Sequence, residues 1–151
     1  MRVRGSAIAA LVTASVSLGM LTACVTQQMC VSWVDYETPQ HSFDDSTLVV
    51  VGTAEPTGAT RTVLGVPMPV YAIDVAETLK GEPPDDLLVT LAPLTCMGDA
   101  SEFPDGVDPL ATDDELVLFL QRDGEWRLLT PYDGALPMPD DGMLPFEVPD
   151  R

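Results

Sequence analysis

The sequence predicts an all-β protein, a small five-stranded barrel followed by an irregular proline-rich tail. Three observations carry that expectation. Short apolar runs rich in β-branched residues recur along the chain, strong turn signals separate them, and no segment beyond the N-terminal leader has a helical period. Closing five such strands on themselves removes the exposed edges that an open sheet would leave.

The elements follow in order. Trp33, Val34 and Tyr36 open the folded part as an extended segment. Ser42-Phe43-Asp44-Asp45 has the Ser-x-x-Asp form of a capping box, so a single helical turn is expected to begin at Ser42. Thr47–Ala54 is the first strand, and Gly52 marks a bulge or a barrel bend within it. Val70–Thr78 is the second. Tyr71, Ile73 and Val75 point one way in it, and Ala72, Asp74 and Ala76 the other. Lys80-Gly81-Glu82-Pro83-Pro84 ends that strand, and Leu87–Leu91 is a short third. Glu115–Arg122 and Glu125–Leu129 form a hairpin across Asp123-Gly124, a strong short-range turn signal. Between the third and fourth strands lies a long acidic loop, Thr95–Asp114, with Pro104 and Pro109. The tail from Pro131, with Pro137, Pro139, Pro145 and Pro149, is expected to wrap the surface irregularly.

Composition narrows the function classes. The chain has 151 residues, with 24 acidic against 7 basic and a net charge of −17. Such a surface repels nucleic acid phosphates and anionic headgroups, so nucleic-acid binding is excluded. A hydrophobic fraction of 46% makes the chain globular rather than disordered, and its length suits one domain.

The N-terminus has the layout of a secretory signal: Arg2 and Arg4, an apolar run from Ala7 to Leu21, then small Thr22 and Ala23. The run, diluted by Thr13, Ser15 and Ser17, falls short of the ~20 apolar residues of a membrane span. Val3 separates the two arginines, which favours the general secretory route over the twin-arginine one. Leu21-Thr22-Ala23-Cys24 resembles the lipobox of bacterial lipoprotein precursors. The resemblance implies that a lipoprotein diacylglyceryl transferase alkylates the Cys24 sulfur and that a signal peptidase cuts before it. An N-acyl group such as palmitate then completes a lipid anchor at the extracytoplasmic face of the cell membrane. Each buried CH₂ contributes about 0.8 kcal/mol, so two chains hold where one is marginal. The expected division is a signal over 1–23, a lipidated tether over 24–29, a barrel over 30–130 and a C-terminal extension over 131–151.

With Cys24 lipidated, Cys30 and Cys96 have only each other, and outside the cytoplasm such a pair oxidises. Closing that loop of about 66 residues would contribute roughly 4 kcal/mol. Two unpaired thiols, or half of a metal site, are the alternatives, and no histidine or cysteine cluster accompanies them. The order Cys30, Phe43, Val49–Gly52, Val75-Ala76-Glu77-Thr78-Leu79-Lys80-Gly81, Cys96 and Leu116–Leu120 is similar to netrin-like modules of the tissue-inhibitor-of-metalloproteinase type. That resemblance, over residues 30 to 130, implies an OB-like barrel and a bridge from Cys30 to Cys96. In the inhibitors a terminal cysteine offers its free amine and carbonyl to the protease zinc. Here Cys30 is internal and the implied N-terminus at Cys24 is acylated, so the inhibitory activity does not carry over.

Catalytic chemistry finds little to stand on. His41 is the single histidine, in a loop-like stretch, and the Gly-x-Ser-x-Gly, His-Glu-x-x-His and phosphate-loop patterns are absent. The expectation is a non-enzymatic binding or adaptor module for an envelope protein or ligand, without a cofactor, with loop Thr95–Asp114 the first place to look for the site. The alternative is a calcium-responsive domain using Asp99, Glu102, Asp105 and Asp108, since calcium takes six to eight oxygens, although the EF-hand spacing is absent. Trp33 and Trp126 read as core or near-core aromatics, and Arg122 and Arg127 as cations offsetting nearby acidic charge.

Overall fold

The computed structural model describes residues 32–94, 103 and 106–149. The lipobox residues Leu21–Cys24, and with them Cys30, Cys96, Asp99, Glu102 and Asp105, lie outside the described residues. A short helix α1 (Pro39–Asp45) precedes six strands: β1 (Leu48–Val63), β2 (Val66–Lys80), β3 (Leu88–Thr90), β4 (Leu116–Asp123), β5 (Glu125–Leu128) and β6 (Ala135–Pro137). The strand order is β1-β2-β3-β5-β4, and β4 pairs back onto β1, so five strands close into a barrel. Neighbours are antiparallel except β3 and β5, which run parallel. The all-β barrel expected from the turn and strand pattern is the fold observed.

Closure rests on β1 and β4, whose residues Leu48–Gly52 and Leu116–Leu120 pair one to one. Both segments are buried on both faces. Leu48, Val50, Leu116, Leu118 and Leu120 fill the barrel with Met68, Tyr71, Ile73, Val89, Leu110 and Leu128. Val49, Val51, Val117 and Phe119 point out of the barrel and join Phe43, Leu79 and Leu129 in a second core. Two-sided burial is why these strands read as unbroken apolar runs rather than alternating ones.

Curvature enters through bulges in the β1–β2 ladder. The pairing shifts between Val49 and Val50, between Val51 and Gly52, and between Pro56 and Thr60. At the first two shifts β2 carries the extra residue, Leu79 and then Ala76. Each raises the local twist and bends the hairpin around the barrel. Gly52 answers the expectation of a bulge, because a Cβ there would collide with the Asp74 carbonyl. Both strands are longer than the sequence pattern indicated. They continue as an arm to a two-residue turn at Leu64-Gly65, through a stretch where Pro56, Gly58, Pro67 and Pro69 mask the strand signal.

Two local expectations are corrected. The helix starts at Pro39, not Ser42. Thr38 is its N-cap, accepting from the His41 N–H, and proline at the first helical position has its φ preset. Ser42 is instead buried inside the helix. The tail is not irregular throughout, since Ala135–Pro137 adds a sixth strand on Leu116–Leu118. Pro137 is tolerated because it sits at the end of this edge strand. Trp33 and Tyr36 lie in no regular element. Trp33 is nonetheless fixed, its indole N–H donating to the Pro93 carbonyl at 2.8 Å.

Beyond β6 the chain straps the outer face of β1 and β4. Phe146 stacks on Phe43 at 5.1 Å between centroids and meets Phe119 edge-on at 5.5 Å. The Gln40 amide acts as a surrogate strand, accepting from the Glu147 N–H at 2.7 Å and donating to its carbonyl at 3.4 Å. Nearby, Asp133 accepts from the Tyr36 N–H at 3.4 Å. Burial nevertheless raises its pKa above 3.8, with the Asp35 charge adding to the rise and the bonds from Tyr36 and Thr130 opposing it.

Two outcomes follow for the strap region. Phe146→Ala should cost about 2 kcal/mol in denaturant unfolding, the share of a full aromatic truncation expected for a half-buried ring. A raised carboxyl pKa means that the ionised form opposes folding. The Asp133→Asn variant should therefore melt above the parent at neutral pH, and the gap should close as pH falls through the folded pKa toward 3.8. A gap that is constant with pH would contradict the assignment.

Candidate functional site

On β4 and β5 the inward row of side chains runs Leu116, Leu118, Leu120 and, across the hairpin, Leu128. Arg122 and Trp126 sit opposite one another and come next in that row. The row thus changes from aliphatic to cationic and aromatic as it leaves the core. Trp126 still packs against the core with part of its ring, and the Arg122 guanidinium lies over the indole, 5.5 Å from the centroid.

This pair lines a groove of about 440 Å³. Arg61 comes from the β1 arm, Glu82, Pro83, Pro84 and Asp86 from the stretch between β2 and β3, Leu88 from the start of β3, Gly124 from the β4–β5 turn and Glu125 from the start of β5. A second hollow of about 300 Å³ shares Arg61 and Glu125 with the first and reaches Leu64 at the arm's tip and Arg127 on β5. Strand pairing explains the convergence. By register the β1–β2 arm leaves the sheet beyond Thr90, whereas the β4–β5 turn lies at the Leu88 end of β3 beside the β2–β3 stretch, and the Arg61–Glu125 ion pair at 3.1 Å joins the arm to that turn.

Hydrogen-bonding capacity in the groove is partly unspent. Arg61 Nη1 is 3.1 Å from Glu125 Oε2, an ion pair, yet it is buried without an acceptor in hydrogen-bond geometry. Among the described residues neither the Arg122 guanidinium nor the Trp126 indole N–H has a hydrogen-bond acceptor. The other two cations among the described residues, Arg127 and Lys80, are committed to structure. Arg127 donates to the Leu128 and Leu129 carbonyls at 3.0 and 3.1 Å and packs over Trp33 at 5.3 Å. Burial pulls the Arg127 pKa below its ordinary value, against the opposing pull of Asp123. Lys80 Nζ donates to the Phe43 and Asp44 carbonyls at the end of α1, each at 2.8 Å.

The residues singled out from the sequence fare differently. Asp108, of the calcium candidates, is described and fully engaged. It accepts from the Tyr71 hydroxyl at 2.7 Å and from the Leu110 N–H at 2.9 Å, which ties the acidic loop to β2. Burial first, then the bond to Asp108, raises the Tyr71 pKa and keeps the phenol protonated. Among the described residues no group of three or more His, Cys, Asp or Glu is placed to hold a metal. His41 is exposed on α1 beside a shallow hollow with Asp35, Tyr36, Glu37, Asp44 and Asp45. The described part of loop Thr95–Asp114 contributes Phe103 and Leu110 to the core and lines neither hollow of the groove. Trp33 and Trp126 are near-core as expected, but Trp126 also faces the groove. Sequence reasoning missed Arg61, Leu64, Glu82, Asp86 and Leu88. A Leu-Gly pair between valines was the one available signal, marking a hairpin whose tip must hold an exposed leucine.

That leucine sits against local preference. Leu64 has φ 52° and Gly65 φ 86°, the paired left-handed conformations of a type I′ turn. Leu64 is 45% exposed, so no burial offsets the cost of the left-handed backbone. Residues held this way against local cost cluster at ligand clamps and switch regions.

No family model matches this chain, and no curated protein matches it significantly.

Replacing the strained residue checks the turn assignment. Leu64→Asn creates the Asn-Gly pair that type I′ turns prefer, and it should raise stability by about 1 kcal/mol. A loss of stability would mean that Leu64 packs more than its exposure indicates.

Proposed function

We propose that this chain is a lipid-anchored, extracytoplasmic binding module of netrin-like type, tied to the membrane through Cys24 and presenting the groove to an envelope ligand. The observation that carries the binding assignment is the placement of unspent donors, Arg122 on β4 and Trp126 on β5, in one groove with Glu82 and Asp86 of the β2–β3 connection. OB-type barrels with this strand order take ligands on the face of strands 2 and 3 between the loops joining strands 1–2 and 4–5. The groove shares with that face Leu88 of β3 and the β4–β5 turn, together with Arg61 of the β1–β2 arm, and takes no residue from β2. The anchoring rests on the order of Arg2, Arg4, the apolar run and Leu21-Thr22-Ala23-Cys24.

A Cys30–Cys96 bridge belongs to the same reading. Its support is the Trp33–Pro93 hydrogen bond, which joins two positions each three residues from one of the cysteines. Three residues of chain reach about 10 Å, so the flanks permit the link. Such a bridge would reinforce the attachment of the N-terminal segment to the chain after β3.

Mass spectrometry of the membrane-extracted protein tests both covalent features. The expected product starts at Cys24, carries diacylglyceryl and N-acyl groups, and alkylates at two cysteines only after reduction. Cys24→Ala should leave the membrane fraction or retain its leader. A membrane-bound, leaderless Cys24→Ala protein would overturn the anchor. Alkylation at both Cys30 and Cys96 without reductant would overturn the bridge.

A further inference from the structure

We infer that the open edge of the β1 arm, at Thr60–Val63, takes an extended segment of a basic partner polypeptide as an added strand. The site is the smaller hollow beside the arm, so the inference stands apart from whatever the larger groove takes. Val63 and Val66 flank the two-residue turn and exchange both ladder bonds. The alternate pairs turn their backbone groups outward, Thr62 opposite Pro67 and Thr60 opposite Pro69. On β2 that outward edge is closed, because both positions are prolines without an N–H. On β1 the same positions are exposed threonines, which can donate and accept. The pairing of β1 with β4 stops at Gly52, so among the described residues no strand covers this edge.

The hollow lies along that edge. Its near wall is four consecutive residues of β1 and its turn, Arg61, Thr62, Val63 and Leu64, and it takes no residue from β2. Consecutive residues point to opposite faces of a strand, so a hollow that touches all four runs beside the edge rather than over one face. The far wall is Thr90 with Asp123, Glu125 and Arg127. A strand entering between the walls would pair with the Thr60 and Thr62 backbone, which supplies affinity without a fixed sequence. It would set a side chain beside Val63, and a volume of about 300 Å³ suits a small apolar one. Arg61 Nη1 is already buried on this wall without an acceptor in hydrogen-bond geometry, and a carbonyl of the added strand would supply one. The charge of the partner follows from that of the chain. A net charge of −17 draws in basic flanks and repels a second copy.

The test titrates the full-length protein in detergent micelles with the blocked peptide acetyl-Lys-Val-Thr-Val-Lys-amide while backbone amide resonances are followed. The expected result is saturable binding in which the Thr60 and Thr62 amides shift and their hydrogen exchange slows. Thr62→Pro removes one outward donor and leaves the ladder bonds of the hairpin in place, and it should weaken binding about tenfold. N-methylation of the peptide should abolish binding at one alternating set of its amides and spare it at the other, since only one edge of the peptide faces the protein. That comparison uses the unaltered protein, so it holds even where Thr62→Pro lowers the melting temperature. The same peptide with glutamate in place of lysine should bind about tenfold more weakly at low salt. Absence of binding, equal loss from both sets of methylated amides, or equal affinity for the glutamate peptide overturns the inference. Shifts confined to Arg122 and Trp126 would put the peptide in the larger groove, overturning the added strand and leaving the binding-module reading intact. Dimers that form with concentration and vanish in Thr62→Pro would make a second copy the occupant, which also overturns it.

Discussion

The pairing of Leu48–Gly52 with Leu116–Leu120 is the constraint on which the rest of the structure depends. It joins two segments far apart in the chain and turns a curved sheet into a barrel. The same residues separate two cores, one inside the barrel and one beneath α1 and the C-terminal strap. A slip of one residue would exchange the inward set Leu48 and Val50 with the outward set Val49 and Val51, and both cores would have to repack. The strap strengthens that choice. Phe146 against Phe43 and Phe119, and Gln40 holding Glu147, cover an outward face that would otherwise be a bare apolar patch.

Closure also decides where a ligand site can form. β1 and β2 are much longer than β3, so their surplus length projects beyond the barrel as an arm. The bulges with Leu79 and Ala76 on β2, and the break between Pro56 and Thr60 on β1, shape that hairpin. The parallel neighbours β3 and β5 bring the β4–β5 turn beside the β2–β3 stretch, and the Arg61–Glu125 ion pair joins the arm to it. A groove therefore arises at the point where the row of interior side chains passes from Leu120 and Leu128 to Arg122 and Trp126. Strong electrostatic steering of an anion toward it is excluded by the surrounding charge, so recognition there depends on short-range contacts. Lys80 is spent on the end of α1 and Arg127 on the carbonyls of Leu128 and Leu129, which leaves Arg122 as a cation with hydrogen-bonding capacity in reserve.

Much of the fold was legible because its strands obey simple local rules. The β4–β5 hairpin followed from Asp123-Gly124 between apolar runs, and the bulge at Gly52 from a glycine inside a β-branched strand. The alternation of Tyr71 and Ile73 with Ala72 and Asp74 placed one face of β2 in the core. The arm was not legible, because prolines and glycines at its irregular pairings carry the same composition as a loop. α1 was anticipated one turn late, since Thr38-Pro39 and Ser42-x-x-Asp45 both resemble helix starts and only packing of Phe43 decides between them. β6 was hidden because a three-residue strand ending in proline has no periodicity to detect.

The chain by itself determined the fold class, the element order around the Asp-Gly hairpin, the acidic character and the leader-like layout ending at Cys24, all of which are local or additive properties. Only the tertiary structure decided which residues form the groove. Arg61, Glu82, Leu88, Arg122 and Trp126 come from three separate stretches and meet because β1 pairs with both β2 and β4. No window along the chain contains that pairing, which is fixed by the simultaneous burial of both faces of β1 and β4.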